Sequence, residues 1–234
     1  MINRQVKMTW EKSSVLSLDF LIEKFKLRKN TIYETIISTY DKENNLPHAA
    51  PMGIIITDED YILIRPYKTS RTYKFMEQYK YAAINFIDDL ELFYKFSQED
   101  KDMNKLKDYF EVISEFNSPI FKTSMLSIEI KIIEDLDIEG IRAQFKCKPL
   151  HYIYKSEFKK LFEPINRASG CVLESIIHAT RISIYRRINT PELLKKVEKL
   201  IFLLNHYREI IKKVYPNSKY EKIIDDIFIK LNLD

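Results

Sequence analysis

Glycine occupies three of 234 positions and alanine seven, against an average glycine usage of about 7%. Glycine-built nucleotide loops are missing with it: the chain carries no Walker loop and no Rossmann fingerprint. Cysteine is scarce as well. Cys147 and Cys171 have no partner spacing, which excludes a disulfide framework and a cysteine-built zinc site and suits a reducing cytoplasm. No stretch approaches 18 apolar residues, and no run of signal-peptide length follows Met1. The chain is therefore expected to be cytoplasmic, with no membrane partner. An excess of one charge is also lacking. The net charge is +4, and the basic runs Lys24–Lys29 and Arg186-Arg187 are short enough to be solvated helix faces. A dedicated nucleic-acid binder would show a longer basic stripe.

What remains is rich in apolar residues, at 45%, with 31% charged residues of mixed sign. That suffices for one large domain or a domain with a sizeable appendage. Five of the ten small residues (Ala49, Ala50, Gly53, Ala168 and Gly170) fall in just two segments, 47–53 and 164–170. A composition so averse to small side chains is expected to keep them where a larger one would not fit. Between those segments lies Arg65-Pro66-Tyr67-Lys68-Thr69-Ser70-Arg71-Thr72-Tyr73, basic and hydroxyl-rich.

Leu18, Leu21, Ile22 and Phe25 recur at helical spacing and predict a helix over 14–27. From Thr31 the period changes to that of strands. Thr31–Tyr40, His48–Thr57 and Tyr61–Arg65 form a meander with a turn at Asn44-Asn45. A short helix follows over Ser70–Tyr79, capped by Ser70 or Thr69, and then a strand over Tyr81–Ile87. Residues 90–123 read as short helices and loops. Leu126–Glu134 and Ile141–Tyr154 are two long strands joined at Gly140. Six strands with one internal helix suit a small closed or split barrel, an α+β architecture. After Pro164 the pattern is helical over Asn166–Arg186, Pro191–Val214 and Lys219–Leu231. The expected organisation is an N-terminal helical extension (1–30), a barrel domain (31–160) and a C-terminal helical part (161–234).

The loop carrying Arg65, Lys68, Ser70, Arg71 and Thr72 is the foremost ligand site. Free N–H groups at a helix N-terminus, hydroxyls and guanidinium groups together favour an anion. The same pattern also describes an ordinary capped helix with a solvated basic loop. Pro51 within a strand removes a ladder donor and implies an edge or a bulge. Beside it, Gly53 implies close approach of a flat ligand, or simply a structural bulge. Asn166 and Arg167 begin a helix whose Gly170, Glu174, His178 and Arg181 either line a pocket or face solvent. Glu174 and His178 could form an acid/base pair, although no HExxH pattern is present. Asp88-Asp89 could hold a metal but more often caps a turn. His151 and His206 have no evident partners, and no Ser-His-Asp arrangement is present.

Several of these segments together resemble a known family. They are Tyr33-Glu34-Thr35-Ile36, His48–Gly53, Arg65, Ser70-Arg71-Thr72-Tyr73, Asn85-Phe86-Ile87-Asp88-Asp89, Phe145-Lys146-Cys147-Lys148-Pro149, Asn166–Gly170, Glu174 and Thr180-Arg181. In this order they look like an archaeal family of uncharacterised proteins in the FMN-binding split-barrel superfamily, related to flavin reductases and pyridoxamine phosphate oxidases. The likeness covers roughly residues 31–215. It implies a split β-barrel of FMN-binding type with a C-terminal helical extension, FMN as cofactor, and a homodimer with the flavin near the subunit interface. It implies that Ser70, Arg71 and Thr72, with Arg65 and Lys68 nearby, hold the phosphate. Ala49, Ala50, Pro51 and Met52 would lie along the isoalloxazine edge, with Asn85 on the neighbouring strand, and His48, Asn166 and Arg167 are further cofactor-binding candidates. His48 stands where such motifs usually carry Asn. The function expected is a flavin-dependent oxidoreductase of unknown substrate, with a small molecule or a nicotinamide as reductant and with no metal. Two alternatives stand beside it: a flavin or deazaflavin binding module without turnover, and a helical interaction protein built on a structural barrel. No catalytic residue is assigned, because the flavin itself carries the electrons.

Overall fold

The computed structural model describes residues 10–14, 18–98, 101–113, 116–136, 140–155 and 164–233. The chain divides into two compact units, Met1–Lys29 with Tyr33–Ile165, and Asn30–Ile32 with Asn166–Asp234.

The first unit is a barrel. Its strands are β1 (Trp10–Ser14), β2 (Ile32–Asp41), β3 (Leu46–Ile56), β4 (Ile62–Ile64), β5 (Tyr81–Phe86), β6 (Phe110–Glu111), β7 (Ile120–Phe121), β8 (Leu126–Leu136) and β9 (Gln144–Lys155). Neighbours run β9-β4-β3-β2-β5-β8, and β8 returns to pair with β9, so six strands close a ring. β1 adds to the end of β9, with Trp10 opposite Lys155. The short β6 and β7 pair only with each other.

Alternation explains the core. Tyr33 and Ile37 on β2, Ile54 and Ile56 on β3, Ala82, Ile84 and Phe86 on β5, and Ile128, Ile130 and Ile132 on β8 share the interior. On β9 the inward residues switch from odd (Phe145, Cys147) to even (Tyr152, Tyr154). The cause is a register shift, because Glu129 faces His151 while the next residue, Ile130, faces Pro149. One extra residue on β9 flips the faces, as a bulge must. Helix α1 (Leu18–Phe25) sends Leu18, Leu21 and Phe25 into this same core. It is thus part of the barrel unit and not a separate extension. Of the helix expected over 14–27, residues 15–17 lie outside the described residues, and Ser14 ends β1. That strand has no counterpart in the sequence reading.

Helix α2 (Arg71–Tyr79) follows β4 and places Met76 in the barrel core. Residues 90–123, ambiguous from the sequence, form α3 (Leu90–Ser97), α4 (Met103–Leu106), a 3-10 turn (Lys107–Tyr109) and the β6–β7 ribbon. They bury Leu92, Phe96, Phe110 and Phe121 with Ile36, Ala49 and Ile87 in a second cluster. Asp89 caps α3 by accepting from the N–H groups of Glu91 and Leu92. The aspartate pair therefore serves a helix end.

The second unit is an all-helical bundle of α5 (Arg167–Ile188), α6 (Pro191–Val214) and α7 (Lys219–Leu231). Asn166, Thr190 and Ser218 cap the three helices, with Pro191 in the first turn of α6. Val172, Ile182, Val197, Leu204, Ile211, Ile224 and Phe228 form its core. The expectation attached to the scarce small residues needs correction here. A Cβ built on Gly170 would meet nothing within 4 Å, so no neighbour forces a glycine there. Left-handed backbone is supplied mostly by asparagine, at Asn30, Asn45, Asn117, Asn189, Asn217 and Asn232, and also by Lys26, Asp60 and Lys80, whereas Gly140 is the described glycine with positive φ, at 107°.

Candidate functional site: the N-terminus of α2 beside an open strand edge

β4 covers only Ile54–Ile56 of β3. The half of β3 from Leu46 to Gly53 runs on beyond it. The carbonyl of Met52 accepts the Thr35 hydroxyl of β2 at 2.9 Å, while Thr57 N–H bonds the Tyr61 carbonyl at 2.9 Å, toward the β4 side. Backbone groups alternate along a strand. Ala49, Pro51 and Gly53 therefore turn their polar groups to the side that β4 leaves uncovered. That is the position where a proline, lacking a donor, is tolerated. The expected edge at Pro51 is present. Ala49 is buried beneath Phe96 and Phe121, so its side chain serves packing and only its backbone faces that edge. Ala50, Pro51 and Met52 are half-buried.

The N-terminus of α2 lies across from this edge. Ser70 caps the helix: its Oγ accepts from Tyr73 N–H at 3.2 Å and donates to the Tyr67 carbonyl at 2.7 Å. The hydroxyl hydrogen of Ser70 is thus committed within the turn. Helix geometry leaves the N–H groups of Arg71 and Thr72 without partners in the helix. Arg71 is exposed and Thr72 is buried. Thr72 Oγ1 lies 2.9 Å from His48 Nε2, and the His48 ring meets Phe75 edge-on at 5.1 Å. One hydrogen bond therefore ties the open strand to the helix terminus.

His48 is nearly inaccessible, and its pKa is pushed down to about 3, chiefly by burial and further by the positive charges of Lys101 and Arg71. At neutral pH the ring is uncharged. With its proton on Nε2 it donates to Thr72, which leaves the threonine hydroxyl hydrogen for another acceptor. The unfolded chain would protonate His48 near 6.5, whereas the folded chain resists until about 3. Because the unfolded state then binds more protons, the stability from this group is full above pH 6.5 and is lost as pH falls toward 3. Between pH 6.5 and 5 the loss should be about 2 kcal/mol. Denaturant unfolding at pH 7 and 5 should show it, and His48→Asn should flatten that interval. An unchanged pH dependence in the variant would contradict the assignment.

The basic loop before α2 is pinned from a distance. Arg65 Nε donates to Gln144 Oε1 at 2.6 Å. Lys68 N–H bonds the Ile141 carbonyl at 3.0 Å, and Ala143 N–H bonds the Pro66 carbonyl at 2.9 Å. Arg142 stacks over the Tyr67 ring at 4.2 Å and donates to its hydroxyl at 2.8 Å. Arg142 and Lys101 are cations the sequence reading missed. Both are far from the loop in sequence, and no local signal marks them.

The other expected residues have different surroundings. Asn85 is fully buried. Its amide nitrogen donates to Ile36 O at 2.9 Å and Ser38 Oγ at 2.8 Å, and its oxygen accepts from Phe121 N–H at 3.2 Å and Ser127 Oγ at 2.9 Å. These bonds use the hydrogens a ligand would need. Asn166 and Arg167 belong to the helical unit, where Asn166 Oδ1 caps α5 through Ala168 N–H at 2.8 Å and its Nδ2 donates to Ile32 O at 2.7 Å. Glu174 and His178 stand 3.9 Å apart, with the glutamate half-exposed. His151 Nδ1 lies 3.5 Å from the buried Glu129. Burial raises both thiol pKa values, strongly for Cys147, so neither thiol is set up as a nucleophile. Among the described residues, no group of three or more His, Cys, Asp or Glu could hold a metal ion. None of the described helices is long and apolar enough to cross a membrane.

A closed six-stranded barrel with an internal helix, one strand half open beside that helix's N-terminus, and helices appended after it defines a split-barrel protein with a C-terminal helical unit. The particular family follows from the sequence. Residues 33–156 match the N-terminal domain of a protein family of unknown function, DUF447, and residues 166–226 match its second domain. The chain belongs to this family. Among solved structures it is similar to the FMN-bound DUF447 protein MM1853 of Methanosarcina mazei, at 24% identity over 89% of this chain and 98% of that one, with a TM-score of 0.52. It is also similar to flavoredoxin from Methanosarcina acetivorans, at 14% identity over 57% and 74% of the two chains, TM-score 0.48. A third is the flavin reductase HpaC complexed with NADP+, at 14% over 63% and 97%, TM-score 0.45. No curated protein matches the chain.

Proposed function

We propose that the barrel unit binds FMN and that the protein is a flavin-dependent oxidoreductase. The observation that carries this reading is the His48–Thr72 bond of 2.9 Å, which sets a helix N-terminus against an open strand edge. The two halves match the two halves of the cofactor. Arg71, the Thr72 hydroxyl and the first N–H groups of α2 suit a phosphate dianion. The backbone carbonyl of Pro51 and the backbone groups of half-buried Gly53, on the side that β4 leaves uncovered, suit the hydrogen-bonding edge of a flat ring. Arg65, Lys68 and Arg142 add positive charge to the same loop. In this reading Ser70 holds the turn and Asn85 supports the strand from inside, while Arg71 and Thr72 make the phosphate contacts.

When bound, FMN supplies hydride and electron transfer, and the protein supplies position and exclusion of water. His48, uncharged, orients Thr72 without placing a second cation in the site. A groove of about 750 Å³ between α3 and α4, lined by Leu90, Tyr94, Lys95 and Lys101 among others, has the size of a small-molecule site. Its Lys101 is one of the two cations, with Arg71, whose charge acts on His48, so in this reading a substrate or a nicotinamide reductant approaches from that side. Two unpaired cysteines fit a cytoplasmic setting.

The test is a fluorescence titration with FMN and with riboflavin. A phosphate grip predicts FMN bound at least about 100-fold more tightly, since charge-assisted bonds contribute about 1.5–3 kcal/mol each. Equal affinities would remove the phosphate site. Bleaching of the bound flavin by a reduced nicotinamide, with reoxidation by an acceptor, would then separate an enzyme from a binding module.

A further inference from the structure

The helical unit carries the positive charge of the chain. Residues 166–234 hold 13 Lys and Arg against 8 Asp and Glu, whereas the whole chain holds 38 against 34. Part of that excess gathers at a cleft between α5 and α6. The two helices are joined by Asn189-Thr190, and Ile182, Val197 and Leu204 lie in their common core. Arg181 and Tyr185, four apart on α5, share one side of that helix. Lys196, Lys199, Leu200 and Leu203 share one side of α6 by their spacing of three and four. These six residues line a cavity of about 200 Å³. Of the polar stripe expected along α5, Arg181 alone belongs to it.

The polar groups of the cleft are donors in search of an acceptor. Glu192 pairs with Lys196 at 2.7 Å. It raises the Lys196 pKa, and Tyr185 adds to the effect, so the phenol stands within electrostatic reach of that ammonium. Among the described residues, nothing pairs with Arg181 or Lys199, and nothing bonds the Tyr185 hydroxyl. Like charges gathered at one cleft cost stability, and an anion between them relieves that cost. Three cations against one carboxylate leave two positive charges. That balance matches a phosphate monoester, which carries about −1.5 to −2 at pH 7, and exceeds what a monocarboxylate needs. The planar guanidinium of Arg181 suits two phosphate oxygens at once, and the ammonium of Lys199 suits another. Leu200 and Leu203 offer the remaining wall to carbon. A cavity of about 200 Å³ is below the range of drug-sized ligand sites. A small ester fits it and a flavin ring does not.

We propose that the cleft between α5 and α6 binds a small phosphate monoester, with Arg181, Lys199 and the Tyr185 hydroxyl on the phosphate and Leu200 and Leu203 against its carbon chain. The site lies wholly within the helical unit. This inference does not depend on the flavin.

Amide chemical shifts of the isotope-labelled full chain, titrated with glycerol phosphate, test it. The shifts should saturate and centre on Arg181–Tyr185 and Lys196–Leu203. Arg181→Gln with Lys199→Gln should weaken binding about tenfold. Arg187→Gln with Lys195→Gln removes the same charge from neighbouring positions outside the cleft and should weaken it less than about twofold. All four side chains are exposed, so both variants should keep the helical circular dichroism. Glycerate, a carboxylate monoanion of the same carbon skeleton, should bind at least about fivefold more weakly. Inorganic phosphate should also bind more weakly, because it makes no contact with Leu200 and Leu203. No saturable shift in the millimolar range, or shifts confined to the barrel unit, would overturn the proposal. Equal losses in the two double variants would reduce the cleft to general charge and overturn the site. Glycerate bound as tightly would overturn the phosphate, and inorganic phosphate bound as tightly would overturn the ester.

Discussion

Replacing Arg71 and Thr72 together by alanine should weaken FMN binding by about 2.5–4 kcal/mol while leaving riboflavin affinity within a factor of two or three. The expectation rests on what each side chain can offer a phosphate. Arg71 is exposed at the first position of α2, where guanidinium and helix terminus act on the same anion. Thr72 is held by His48 at 2.9 Å and contributes one hydroxyl. A charged donor contributes about 1.5–3 kcal/mol and a neutral one about 1. Riboflavin lacks the phosphate, so the loss should appear only with FMN. The pair of titrations separates a lost contact from a damaged fold. Undiminished FMN affinity in the double variant would show that the phosphate is held elsewhere.

The second large effect falls on stability. Asn85→Leu should destabilise the barrel by about 2–4 kcal/mol, measured by denaturant unfolding. Leucine is similar in volume and creates little cavity, so the cost is electrostatic. Phe121 N–H would lose its partner at 3.2 Å, while Ser38 and Ser127 would each lose one bond of at most 2.9 Å and keep their others, to Pro119 O and Ser124 Oγ, all in a fully buried setting. An orphaned buried group costs about 1–3 kcal/mol. The β6–β7 ribbon is tied to the barrel through that Phe121 bond, so its amides should exchange faster in the variant. A loss below 1 kcal/mol, with FMN affinity reduced instead, would return Asn85 to the role the family resemblance implies.

The legible parts of this protein are those coded by neighbours in the chain. Ser70 three residues before Tyr73, Thr190 before Pro191, and Asn44-Asn45 between two β-branched runs each carry their own signal. The structure places a helix cap, a helix start and a hairpin turn there. The strand edge at Pro51 was legible for the same reason, because a missing donor is a local fact. Small residues were a less direct guide. Ala49 is small because Phe96 and Phe121 lie against it, whereas Gly170 has open space around it. One composition bias therefore has two causes.

The illegible parts depend on contacts across the chain. Arg142 reaches the loop at Tyr67 only because β9 begins beside it. Lys101 influences His48 from the segment after α3. Phe96, Phe110 and Phe121 show no period among themselves, yet they converge because β6 and β7 pair. Asn85 looked like a ligand contact by resemblance. Its alternation on β5 turns it instead toward Ser38 and Ser127, on the strands that flank it. β1 escaped notice because its residues, WEKSS, are mostly polar and carry no strand alternation, and its partners on β9 lie more than 130 residues away.

A crystal structure of the protein soaked with FMN tests the central claim most directly. The account predicts the phosphate within hydrogen-bond distance of Thr72 and the first N–H groups of α2, and the ring edge along Ala49 to Gly53. A flavin bound with its phosphate away from α2, or no flavin at that strand edge, would contradict it.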